Sequence, residues 1–111
     1  DMVYVKDVVQ ANICAALSEE NVAGSVYNIG SGESITNNEI LEKLKDIFDG
    51  LEITNAPWRP GDVMHTLADI RMAHEDLGYT PEYSFDEGLE QTLSWWDTQF
   101  EEEEEDDEEY V

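Results

Sequence analysis

Arg59 and Asp62 stand three residues apart in Trp58-Arg59-Pro60-Gly61-Asp62, and their types suit an anion that also carries hydroxyl groups. A guanidinium on a Pro/Gly-stiffened loop can clamp a phosphate through two parallel hydrogen bonds, and a nearby carboxylate can accept from sugar hydroxyls. A nucleoside diphosphate would satisfy both. The same two side chains can equally close on each other as a surface ion pair contributing about 0–1 kcal/mol, and the residues alone leave both readings open. Gly30-Ser31-Gly32 is a second candidate, because glycines let backbone N–H groups approach an anion at the start of a helix. Ile35 occupies the place of a third glycine, which favours a structural turn over a dinucleotide site. His65 and His74 have no cysteine or further histidine near them, so no metal site is assigned. No G-x-S-x-G elbow presents a nucleophile and no carboxylate pair has apolar surroundings that would raise its pKa, so no catalytic residue is assigned.

The elements that must position these residues follow from pattern. Met2-Val3-Tyr4-Val5 is a strand-like run, and Asp7 is placed to cap a helix reaching about Ser18 with Val9, Ile13, Ala16 and Leu17 on one packing face. Ser25-Val26-Tyr27-Asn28-Ile29 reads as a short strand running into the Gly30 turn. Thr36-x-x-Glu39 is a capping box for a helix whose Ile40, Leu41, Leu44, Ile47 and Phe48 form an apolar stripe ending near Gly50. Leu51-Glu52-Ile53-Thr54 predicts another strand, and Pro57 and Pro60 make the next stretch an irregular loop. A short helix is expected from Ala68 to Leu77, stopped by Gly78. Ser84-x-x-Glu87 opens a last helix with Phe85, Leu89, Leu93, Trp96 and Phe100 at helical spacing, Trp96 in the core and Trp95 partly exposed. Helices alternating with short strands predict an α/β fold with parallel pairing, in which two or three short strands need others to complete the sheet.

The net charge is −23, and the acidic run at 101–109 does not account for it alone. The first hundred residues still carry nineteen acids against five bases. Such a field repels nucleic acid and anionic membranes, so neither is an expected partner; concentrated salt would screen the self-repulsion, and a halophilic source fits. No apolar stretch approaches the roughly 20 residues of a membrane span, and Cys14 has no internal partner, which makes the cytoplasm the expected compartment. The chain opens at Asp1 inside a strand-like run, as an excised segment would. Residues 101–111 are expected to form a disordered acidic tail beside a body of residues 1–100.

Several stretches together resemble the extended short-chain dehydrogenase/reductase family, and particularly its UDP-hexose 4-epimerases. Asp1-Met2-Val3-Tyr4-Val5-Lys6-Asp7-Val8 resembles the family's R-D-[FY]-[VI]-[YH]-V-x-D-[VL], and Val26-Tyr27-Asn28-Ile29-Gly30-Ser31-Gly32 its [VI]-[YF]-N-[IL]-G-x-G. The run from Arg59-Pro60-Gly61-Asp62 through Ala68-Asp69 is similar to R-x-G-D-x-x-x-x-x-A-[DN], and Leu77-Gly78-Tyr79-Thr80-Pro81 with Trp95-Trp96 follows the same order. The resemblance covers about residues 1–100 and implies the C-terminal, substrate-binding portion of a Rossmann-type enzyme.

It further implies that Arg59 holds a substrate pyrophosphate and Asp62 a ribose hydroxyl. Met2 falls where the family commonly has Tyr or Phe near the uridine phosphates, and Thr66 falls beside the C2 substituent of the hexose. NAD would be bound by a missing N-terminal part that also supplies the Tyr-x-x-x-Lys absent here, so this segment alone should be inactive. The implied substrate is a UDP-sugar, the implied reaction a 4-epimerisation, and the complete enzyme has room to be a homodimer. Nucleotide-sugar dehydratases and decarboxylases share the pattern, although dehydratases tend to read R-P-G-H-D at the loop. A non-catalytic acidic interaction module is the alternative from another class.

Overall fold

The computed structural model describes the backbone of residues 1–109 and the side chains of residues 1–100. Four helices form among them: α1 (Val5–Leu17), α2 (Asn37–Ile47), α3 (Arg71–Leu77) and α4 (Phe85–Glu109). The expected α/β architecture is not there. No strand and no sheet occur among the described residues, and the helices are joined by irregular segments. A strand exists only through a partner, and the short runs at 2–5, 25–29 and 51–54 do not find one in each other. Val5 instead joins α1, with Tyr4 extended just before it. The alternation at Ser25–Ile29 survives without a ladder, since Tyr27 and Ile29 pack inward while Val26 stays exposed.

Local chain signals act as their chemistry dictates. Thr36 Oγ1 accepts from the Glu39 N–H and the Glu39 carboxylate accepts from the Thr36 N–H, so the capping box closes at both ends. Ser84 and Glu87 do the same at the start of α4. Gly78 ends α3 in the left-handed conformation, φ 71°. Lys43 on α2 reaches Asp86 on α4 at 2.6 Å.

The core is small and lies where α1 meets α3. Ala11, Ala73 and Tyr79 are buried, with Ile29, Ile70, Tyr27 and Leu77 packed around them. The Tyr79 hydroxyl donates to the Gly30 carbonyl at 2.7 Å, and burial followed by the charge of Asp7 pushes its phenol pKa up. The radius of gyration, 18.6 Å, exceeds the roughly 13 Å of a compact chain near this length.

The expectations for Asp7, for the Val9–Ile13–Leu17 stripe and for Trp96 are corrected. Asp7 does not cap α1; it is buried in the first turn, and its carboxylate accepts from the Glu82 and Tyr83 N–H groups at 2.9 and 3.2 Å. Those two donors belong to an extended segment without a ladder and need an acceptor. The face of α1 that meets α3 is therefore Asp7–Ala11, and the Val9–Ile13–Leu17 stripe remains exposed. Trp96 is not core: it is 52% exposed and Trp95 57%. The close approach of α4 is made by Gly88, where an added Cβ would lie 3.0 Å from the Tyr4 Cβ, and among the described residues nothing buries the two indoles. Helix α4 runs to Glu109, into the acidic run read as a disordered tail. The side chains of 101–109 and the whole of residues 110 and 111 lie outside the described residues.

Candidate functional site

Arg59-Pro60-Gly61-Asp62 folds as a type II turn. The Asp62 N–H donates to the Arg59 carbonyl at 3.1 Å, Pro60 presets the second position, and Gly61 takes φ 91° at the third. An added Cβ on Gly61 would meet nothing within 4 Å, so backbone conformation alone asks for glycine there. The Asp62 carboxylate accepts from the Arg59 N–H at 2.8 Å, which fixes the turn from the side-chain side as well. Its hold on the guanidinium is looser: Nε lies 3.4 Å from Oδ2 and Nη2 3.3 Å from Oδ1. The Arg59 side chain is 84% exposed. Arg59 and Asp62 thus come together as the sequence spacing predicts, with the surface-pair geometry present and most guanidinium donors facing solvent.

Thr66 is placed at the chain start rather than at the turn. Its carbonyl and hydroxyl oxygens accept from the terminal ammonium of Asp1 at 2.8 and 3.1 Å, which sets it beside the residue preceding Met2. Met2 is half exposed and lines an open groove of about 940 Å³ between α2 and the 81–86 segment. That groove contains none of Arg59, Asp62 and Thr66. Its rim carries Glu39, Glu42, Asp46 and Asp86, and its Lys43 is paired with Asp86, so it suits a diphosphate poorly.

Sequence reasoning missed Asp1. Its carboxylate fills the Gly30-Ser31-Gly32 turn: Oδ1 accepts from the Ser31 N–H at 2.9 Å and the Ser31 hydroxyl at 2.7 Å, and Oδ2 from the Gly32 N–H at 3.1 Å and the Ala68 N–H at 3.2 Å. The turn is an anion-binding nest, and the anion is part of the chain itself. Gly30 permits the approach, since a Cβ there would lie 2.5 Å from the Ala68 Cβ and 2.8 Å from Asp1 Oδ2. A cofactor pyrophosphate does not fit this turn while Asp1 holds it. The available signal was a glycine turn with an acidic residue in the opening motif.

A family model described as GDP-mannose 4,6 dehydratase matches residues 1–92. The chain is 36% identical over 97 residues to a Methanocaldococcus jannaschii protein described as a candidate UDP-glucose 4-epimerase, covering 86% of this chain and 30% of that protein. It is 36% identical over 76 residues to the dTDP-glucose 4,6-dehydratase of Streptomyces niveus, covering 67% and 23% respectively. It is 30% identical over 96 residues to the dTDP-L-rhamnose 4-epimerase of Burkholderia thailandensis, covering 86% and 26%. The chain therefore spans less than a third of the length of these relatives. No helix among the described residues is long and apolar enough to cross a membrane. The opening Asp1–Val8 motif, the glycine turn and the Arg59 loop all lie within the matched residues 1–92, and the chain belongs to the extended short-chain dehydrogenase/reductase family of NAD-dependent nucleotide-sugar epimerases and dehydratases.

Proposed function

We propose that this chain is the substrate-binding segment of an NAD-dependent nucleotide-sugar 4-epimerase acting on UDP-glucose and UDP-N-acetylglucosamine. One observation carries the reading: a guanidinium 84% exposed on a type II turn, held to its carboxylate only at 3.3–3.4 Å. Exchanging that loose contact for a diphosphate forms two charge-assisted hydrogen bonds at little loss. Asp62 Oδ2 keeps the Arg59 N–H and so preserves the turn, while Oδ1 is released to a ribose hydroxyl. Met2 packs near the nucleotide, and Thr66 borders the C2 substituent of the sugar. NAD is held by a part of the protein outside these residues.

Dehydration is the second reading, favoured by the description of the matching family model and by the Streptomyces niveus relative. The full-length protein incubated with NAD and UDP-glucose, followed by proton NMR, separates the two. Appearance of the C4 epimer is the expected result. A 4-keto-6-deoxy sugar formed with loss of water would establish the dehydratase, and the absence of both products would overturn the functional reading.

A further inference from the structure

Asp1 touches two parts of the chain that sequence places far apart. Its carboxylate takes the Ser31 N–H and hydroxyl on one oxygen and the Gly32 and Ala68 N–H groups on the other. One residue therefore ties the glycine turn to the Thr66–Ala68 segment, and Met2 leaves it directly along the chain. The turn is fixed independently from its other side by the buried Tyr79 hydroxyl on the Gly30 carbonyl. Because Gly30 has no Cβ to separate them, the turn, Ala68 and the Asp1 carboxylate sit within van der Waals reach.

We infer that Asp1 is a positioning residue for the nucleotide-sugar site, fixing Thr66 and Met2 through this two-sided hold. The inference rests on the proposed function, in which those two residues border the substrate. A carboxylate serves here because each oxygen accepts more than one hydrogen bond, and ionised acceptors bind amide donors more strongly than neutral ones. Asparagine would keep one oxygen and set an NH2 group against the remaining donors. Alanine would leave the Ser31, Gly32 and Ala68 N–H groups without their acceptor and let the Thr66 segment move away from the turn. Displacement of that kind weakens substrate binding while the reacting groups, which lie elsewhere, keep their chemistry.

The test uses the full-length enzyme with Asp1→Ala, Asp1→Asn and Ser31→Ala, measuring KM and kcat for UDP-glucose and UDP-N-acetylglucosamine together with Tm. Asp1→Ala should raise KM about tenfold or more, the scale of losing a charge-assisted hydrogen bond, with kcat changed much less. Asp1→Asn should fall between it and wild type. Should Asp1→Ala fail to fold, Ser31→Ala removes one of the donors to Asp1, together with the hydroxyl's local contacts to Glu33, and should raise KM about twofold to threefold at unchanged kcat. Lowered Tm with unchanged KM in Ser31→Ala and Asp1→Asn would overturn the inference, because a purely structural tie would act on stability alone. Wild-type enzyme that turns over no nucleotide sugar would defeat the functional reading as well, whereas an active wild type with unmoved KM in the variants defeats Asp1 only.

Discussion

Arg59 and Arg71 are both 84% exposed and both paired with an aspartate, yet the two pairs differ in what they leave free. Arg71 sits against Asp69 with Nε at 2.9 and 3.2 Å from the two carboxylate oxygens and Nη2 at 2.6 Å. Those hydrogen bonds, the side-chain ones first, hold the Asp69 carboxyl down at about 2. Arg59 meets Asp62 only at 3.3–3.4 Å, because Asp62 is engaged by the Arg59 N–H and aligned along the turn instead of along the guanidinium. The tight pair sits at the start of α3, and the loose pair rides on a stiff turn. Equal exposure is therefore a poor guide to ligand capacity; the commitment of the donors decides it.

The largest expected effect separates the two arginines in the full-length protein. Arg59→Ala should weaken UDP binding by about 2–5 kcal/mol, the scale for truncating one partner of a charge pair desolvated in a complex, and calorimetry reads it directly. Arg71→Ala should leave UDP affinity near wild type. Arg59→Lys should recover only part of the loss, since an ammonium lacks the planar fork. Next comes Thr66, which we propose borders the C2 substituent of the sugar. Thr66→Tyr should lower kcat/KM for UDP-N-acetylglucosamine more than for UDP-glucose, by about 1–3 kcal/mol of overpacking. Equal losses for both sugars would remove Thr66 as the gate.

Gly61→Ala probes the turn itself. At φ 91° an alanine is strained by about 1–2 kcal/mol, so UDP affinity should drop less than in Arg59→Ala, with the loss traced to turn geometry and not to contact. The smallest effect belongs to the tight pair. A depressed carboxyl contributes stability above its unfolded pKa, near 3.9, and loses it as pH falls toward about 2. Arg71→Ala should return the Asp69 titration, followed by carboxyl carbon NMR, toward the ordinary carboxylate range; an unmoved midpoint would break the assignment of its cause.

What the sequence disclosed was local. The capping boxes at Thr36 and Ser84, the Gly78 stop and the Arg59–Asp62 pairing each depend on residues within a few positions of one another, and all form. What it concealed was distant. Asp1 reaches 30 residues to Ser31 and 67 to Ala68, and Asp7 reaches 75 to Glu82, so neither carboxylate's partners can be inferred from spacing. The strand runs failed for the same reason, since alternation at Tyr27 and Ile29 specifies an inward face but not a neighbour to bond. Trp96 shows the reverse error, in which helical periodicity implies a core that the small Ala11–Ala73–Tyr79 cluster does not extend to cover, whereas Trp95 is exposed as expected.

The central claim, that Arg59 and not Arg71 is the guanidinium free for a nucleotide diphosphate, is tested most directly by nitrogen NMR of the arginine side chains in the full-length protein. With 15N-labelled arginine, the Arg59 Nε–H signal, assigned by its loss in Arg59→Lys, should shift and exchange more slowly with water as UDP is added, while the Arg71 signal stays in place. A saturating shift of Arg71 with Arg59 unmoved, or no change at either, would contradict the account.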